Sequence, residues 1–220
     1  MKNANLFAMK LSLFLFLALV LWNFPLQAAQ ELVVADFERW PNNLNGEMGV
    51  YGGGEPDWEK PVHSWFYSPE TPGYTLKNVK SGVKSFRLVN TMEPNSAIWA
   101  TFAIDLGPTL DVNVEPKKVQ SLDVSGYSHL AFWVRGGRGG EHFRVVFRDA
   151  RAKNYQQEVL FTPLPKGAST EWTYIQVSLA KLKPQLDFKH LDMVGFHFGQ
   201  NIGNAKGATL FIDDVKFKKE

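Results

Sequence analysis

After residue 30 the apolar residues of this chain recur at every second position rather than every third or fourth. A period of two puts successive side chains on opposite faces of a strand, and it excludes a helical core. Gly, Pro, Asn and Asp interrupt the pattern at short intervals, as in a β-sandwich or barrel. Residues 32–37, 62–67, 84–89, 97–105, 129–135, 143–149, 156–161, 173–177, 193–198 and 209–217 read as strands. Short helical turns are expected at 179–182 and 188–191, separated by Pro184, which cannot sit inside one longer helix.

The first segment follows other rules. Lys2 and Lys10 are its only charges, an apolar run fills 11–22, Asn23 and Pro25 close it, and the small residues Ala28 and Ala29 follow. A basic end, a short apolar stretch and a small-residue exit describe a secretory signal peptide over residues 1–28. The run falls short of the ~20 residues that span a bilayer, so no stable membrane anchor is expected after cleavage. The chain has no Cys, which excludes a lipoprotein anchor, disulfides, thiolate zinc sites and cysteine nucleophiles. Cleavage removes two lysines and no acid, leaving 22 basic against 22 acidic residues. A neutral exported protein, periplasmic or secreted, offers no electrostatic case for nucleic acid. No linker or repeat divides residues 29–220, which read as a single domain.

Two irregular inserts break the alternation. Residues 40–61 are rich in Gly, Pro and Asn and carry Tyr51 and Trp58; Trp65 and Tyr67 follow shortly. Regular structure is not expected over most of this insert, and loops of such length are usually functional or disordered. Residues 107–121 are more polar and lack aromatics.

The alternation assigns faces. Leu130, Phe132 and Val134, then Phe143, Val145 and Phe147, then Val194, Phe196 and Phe198 point to the core. Trp133, Arg135, Arg144, Arg148 and His197 point outward, with Gly195 and Gly199 leaving room beside His197. If these strands share one sheet, its outer face combines an aromatic, forked donors and an imidazole. Sugars need that mixture, since their C–H faces stack on rings and their hydroxyls take bonds from Arg, Asp, Asn and Gln. The competing reading is an ordinary solvated face on which Arg stems cover apolar surface. Near the chain ends, Asp36 and Glu38 close the first strand while Asp213 and Asp214 lie in the last. Together with carbonyls from the loop 80–85, such carboxylates would suit Ca2+, though solvated strand-end charges give the same pattern.

These residues also resemble a known family. Val34-Ala35-Asp36-Phe37-Glu38, Lys80-Ser81-Gly82-Val83-Lys84-Ser85, the stretch from Leu122 through Trp133-Val134-Arg135-Gly136, Trp172-Thr173-Tyr174-Ile175, and Phe211-Ile212-Asp213-Asp214-Val215 resemble, in order, the galactose-binding-like jelly rolls found as carbohydrate-binding modules. The eleventh carbohydrate-binding family, whose members bind β-glucans in a concave cleft, is the nearest match. The resemblance implies an all-β, two-sheet antiparallel jelly-roll sandwich. It implies a structural calcium held by Glu38, carbonyls near Ser81 and Ser85, and Asp213, and a cleft on the strands carrying Trp133, Arg148, Asp149, Tyr155 and His197. Arg135, Tyr51 and Trp65 complete the set of expected ligand-binding residues.

The function expected is therefore non-catalytic binding of a polysaccharide or oligosaccharide. A protein-interaction or assembly factor on the same jelly roll, as in the complex I intermediate-associated family, is the alternative, with the aromatic insert as its contact patch. A glycoside hydrolase would need a matched carboxylate pair, for which Glu47, Glu55, Asp57 and Glu59 are the candidates. The chain carries no nucleophile elbow, zinc-protease motif or phosphate loop.

Overall fold

The computed structural model describes residues 30–53, 62–72, 74–90, 99–114, 117–153 and 157–220. Among these lie thirteen strands: β1 Glu31–Ala35, β2 Met48–Gly53, β3 Val62–Tyr67, β4 Ser85–Asn90, β5 Trp99–Asp105, β6 Thr109–Asp111, β7 Lys118–Val119, β8 His129–Gly136, β9 Arg144–Asp149, β10 Val159–Phe161, β11 Thr173–Ser178, β12 Leu191–Gly199 and β13 Thr209–Lys218. The expected signal peptide lies outside the described residues, and Glu31–Glu220 form one compact unit.

Two antiparallel sheets face each other. One runs β11-β8-β13-β4-β3 and the other β10-β9-β12-β5-β2. The long β13 serves two partners along one edge, β4 at residues 209–212 and β1 at 215–218. Between the sheets lies a Phe-rich core. Phe86 of β4 stacks on Phe102 of β5 with ring centres 3.6 Å apart, and Phe196 of β12 meets Phe132 of β8 edge-on at 4.9 Å. The nine residues that alternation points inward on β8, on β9 with the preceding Phe143, and on β12 are each at most 1% exposed. Removing one such side chain from water is worth about 1.5–3 kcal/mol, which is what fixes the strand faces. The all-β, two-sheet antiparallel sandwich is thus the observed fold.

Three expectations need correction. First, β2 forms inside the 40–61 insert. Met48 is buried and Val50 packs on the core while Gly49 and Tyr51 face away, so four residues of alternation suffice for an edge strand beside β5. The second insert likewise contributes the β6–β7 hairpin. Second, residues 188–190 form a turn rather than a helix, and Leu191 already opens β12. The other expected turn is present, as a 3-10 turn at Leu179–Lys181.

Third, the outward-facing residues do not share a sheet. β8 belongs to the six-stranded sheet, whereas β9 and β12 belong to the five-stranded one. The run Gly136-Gly137-Arg138-Gly139-Gly140 explains the split. Gly139 and Gly140 adopt φ of +90° and +86°, a backbone that only Gly takes without strain, and this run carries the chain across to the opposite sheet instead of turning a hairpin. Trp133 and Arg135 therefore lie on one outer face of the sandwich, and Arg144, Arg148 and His197 on the other.

Candidate functional site

The register of the five-stranded sheet sets out its outer face row by row. Gly49, Ala103, Gly195, Val146 and Leu160 form a central row of mostly small residues from β2 to β10. One step along the strands, Tyr51, Thr101, His197 and Arg144 form a polar row; one step the other way lie Asp105, Met193 and Arg148. Gly195 is required, since an added Cβ would come 2.6 Å from the Phe102 carbonyl oxygen. Over Gly49 the space is open, with nothing within 4 Å of an added Cβ.

This face is a trough. A flat sheet with strands about 4.8 Å apart would hold β2 and β10 about 19 Å apart. Yet Tyr51 of β2 donates its Oη to Oε1 of Glu158, the residue before β10, at 2.5 Å. A Tyr and a Glu side chain cannot together span the flat distance, so the sheet curves towards this side.

Towards one end of the trough, on the three inner strands, sits a desolvated charge cluster. Arg148 is 3% exposed and donates through Nε to Asp192 Oδ1 at 2.9 Å. Asp105, 2% exposed, pairs with Lys117 Nζ at 2.7 Å, which also pairs with Glu47 at 2.8 Å. Burial pushes the Asp192 carboxyl up to about 6 against the pull of Arg148, and pushes Asp105 up against the pull of Lys117. Burial raises Glu158 as well. Arg148 Nη2 lies 4.0 Å from Asp105 Oδ1, and neither atom has a hydrogen-bond partner among the described residues. A buried donor and a buried acceptor left this way cost free energy that a bridging group with both functions would recover.

His197 lies towards the other end of the trough, on its central strand β12. Asn201 Nδ2 donates to its Nε2 at 3.0 Å, which assigns the ring proton to Nδ1, facing Thr101 Oγ1 at 3.3 Å. Burial pulls the imidazole down to about 4, so the ring is neutral at pH 7. The sign of the linkage follows. The unfolded His takes a proton near pH 6.5 and the folded one near 4, so the stability it contributes is full above 6.5 and is lost as pH falls towards 4. The stability gap between the protein and His197→Asn should accordingly narrow by about 2 kcal/mol between pH 7.5 and pH 4.5. Urea unfolding at the two pH values measures it, and a constant gap would mean that His197 titrates alike in both states.

The other expected ligand-binding residues have different surroundings. Asp149 is turned into a loop end, where Arg151 grips it at 3.0 and 2.6 Å and the Asp187 amide at 2.8 Å. On the six-stranded sheet, Trp133 is half-buried, packed on Tyr174 at 4.9 Å with Lys80 Nζ 3.9 Å above its ring. Arg135 is buried and donates to the Thr170 carbonyl at 2.6 Å and to Asn78 Oδ1. Tyr155 and the side chain of Trp65 lie outside the described residues, as does Trp58. Asp105, Lys117, Glu158, Asp192 and Asn201 join the trough without having been expected there. Asp192 reaches Arg148 because the register shifts between Leu191 and Met193, a bulge that re-aims one side chain and that alternation does not reveal.

The residues expected to hold calcium do not fit that ion as arranged. Glu38 Oε1 accepts from the amides of Val83 and Lys84 at 2.9 and 2.8 Å, and Asp213 Oδ2 from those of Lys80 and Ser81 at 2.9 and 3.1 Å. The Ser85 hydroxyl donates to the Asn78 carbonyl at 2.7 Å. Four N–H dipoles thus point at the two carboxylates, where a cation needs converging oxygens. Among the described residues no group of three or more acids or histidines is placed to hold a metal. The two acids instead lock the 80–84 loop to β1 and β13, and burial pushes Asp213 up to about 7.

The family model described as carbohydrate binding domain 30 matches residues 69–219. No curated protein matches the chain. Among solved structures, the family 11 carbohydrate-binding module of the cellulosomal cellulase Lic26A-Cel5E of Clostridium thermocellum aligns with a TM-score of 0.52 at 14% identity, covering 88% of this chain and 97% of that one. The family 11 module from Clostridium thermocellum in complex with a β-1,3-1,4-mixed-linked tetrasaccharide aligns with a TM-score of 0.52 at 13% identity, covering 88% and 98%. The likeness bears out the jelly-roll resemblance in the sequence.

Proposed function

The chain belongs to the carbohydrate binding domain 30 family, and from that premise we propose that its trough holds a β-glucan-type polysaccharide or oligosaccharide without cleaving it. One observation carries the reading: Arg148 Nη2 and Asp105 Oδ1, both buried and without a hydrogen-bond partner among the described residues, stand 4.0 Å apart. A sugar hydroxyl accepts from one and donates to the other at once, which neither a hydrocarbon nor an anion does. The open space over Gly49 leaves room for a flat ring, and Tyr51 of the same strand offers an aromatic face beside it. A mixed-linked tetrasaccharide is held by a module of similar fold, which supports the glucan class.

Binding without hydrolysis fits the state of the acids. Glycoside cleavage needs one carboxyl to give a proton while a second attacks or activates water. Among the described residues Glu47 and Asp105 are tied to Lys117, Asp192 to Arg148 and Glu158 to Tyr51, while the candidates Glu55, Asp57 and Glu59 lie outside the described residues. The basic-apolar leader supports export, periplasmic or secreted, and no helix among the described residues is long and apolar enough to cross a membrane. Affinity electrophoresis of the purified protein against mixed-linked β-glucan, hydroxyethylcellulose, xylan, galactan and starch tests the proposal. Retardation by the β-glucans is expected; migration unaffected by every glucan would end it.

A further inference from the structure

A second cavity opens on the outer face of the six-stranded sheet, on the far side of the core from the trough. It encloses about 430 Å³, within the range of small-molecule sites. Three arginines line it, Arg87 from β4, Arg135 from β8 and Arg138 from the glycine-rich crossover, and none of the described residues that line it is acidic. Two aromatic rings back the cations: the Arg87 guanidinium lies 6.0 Å from the ring centres of both Tyr67 and Phe211, and that of Arg135 lies 5.8 Å from Phe211. Tyr67 and Phe211 are 2% and 4% exposed, so this backing is fixed. Arg135, 5% exposed, is held through Nε by Thr170 and through one Nη by Asn78. The nearby acid Glu141 turns its carboxylate to the amides of Arg138 and Gly139, at 2.7 and 2.8 Å, instead of to a guanidinium.

Gathering three guanidinium groups around one cavity costs Coulomb and desolvation energy that an apolar lining would avoid. An anion with planar, paired oxygens relieves it, because the Arg fork matches a carboxylate with two parallel bonds. The Asn78 amide is engaged by Arg135 and Tyr67, while Thr209, which donates to the Gly207 carbonyl, keeps a hydroxyl oxygen able to accept from a hydroxyl on the same ligand. We infer that this cavity is a second glycan site, for the carboxylate of a uronate sugar, independent of the trough on the opposite sheet.

Isothermal titration of the purified protein with tetragalacturonate at low salt tests it. Saturable binding is expected, and Arg138→Ala, a change at an exposed rim position, should weaken it about tenfold or more, the size of a lost charge-assisted bond. The same variant should keep the affinity of the protein for mixed-linked β-glucan, which separates this site from the trough. No heat from tetragalacturonate, affinity unchanged in Arg138→Ala, or displacement of tetragalacturonate by a neutral β-glucan tetrasaccharide would each overturn the assignment. Sodium phosphate binding as tightly as tetragalacturonate would also overturn it, because the site would then read a free oxyanion and not a sugar acid.

Discussion

Arg148→Lys should fold and lose most of its affinity for β-glucan, whereas Arg148→Ala should lose stability as well. The two variants separate the two things this guanidinium does. Its Nε side neutralises Asp192 at 2.9 Å in a place only 3% exposed. Truncation to Ala leaves Asp192 buried without its cation and Asp105 without one of its two, and breaking a buried pair in this way costs about 3–5 kcal/mol. For a domain of this size that is a fall in melting temperature of about 10 °C. Lysine keeps a charge near Asp192 but has no second fork nitrogen to set opposite Asp105 Oδ1. The bridge to a sugar hydroxyl is then lost, and binding should weaken by about 1.5–3 kcal/mol, ten- to a hundredfold. Calorimetric melts and glucan titrations read the two effects separately. A folded Arg148→Lys with unchanged affinity would remove the Arg148–Asp105 pair from the site, and with it the observation on which the β-glucan reading stands.

Much of this geometry was legible in the chain, and the part that was not has a physical cause. Alternation identifies which residues of β8, β9 and β12 face inward, because a one-residue slip would turn Phe132, Phe147 or Phe196 into water. It therefore identifies Arg148 and His197 as outward correctly. Alternation is silent on which strands become neighbours, and so Trp133 and Arg135 could be grouped with residues that lie across the sandwich from them. The glycine run 136–140 carried that information, since a hairpin between β8 and β9 needs no such run. Nor does outward mean open: Arg135 and Trp133 are covered by neighbours that come from far along the chain, Asn78 and Lys80. Lys117 was equally hidden. It sits in a polar insert with no pattern of its own, and only the tertiary fold brings it to Asp105 and Glu47. Tyr51 was expected from its residue type, yet the insert around it was read as irregular because its Gly content masked a short edge strand.

Phe196→Ala should be the most destabilising single change in the core, and it should leave the trough working. Phe196 is fully buried near the middle of β12, with Phe132 edge-on at 4.9 Å and with Phe143 and Phe102 at 6.4 and 6.5 Å. Rings from both sheets meet on it, so the cavity left by truncation cannot be closed by moving one sheet alone. Phe→Ala in such a place costs about 3–5 kcal/mol. Its neighbours in sequence, Gly195 and His197, point the other way, into the trough, and their strand remains paired to β5 and β9 along its length. Below the melting transition the variant should therefore bind β-glucan within about twofold of the unaltered protein, ground- and mutant-state sites being built from the same opposite-facing residues. Urea titration gives the first number and glucan titration of the folded fraction the second. A loss of stability below about 1 kcal/mol would contradict the burial of Phe196 between the sheets. A full loss of stability accompanied by a large loss of affinity in the folded fraction would mean that the core, and not the strand pairing alone, sets the curvature that brings Tyr51 to Glu158.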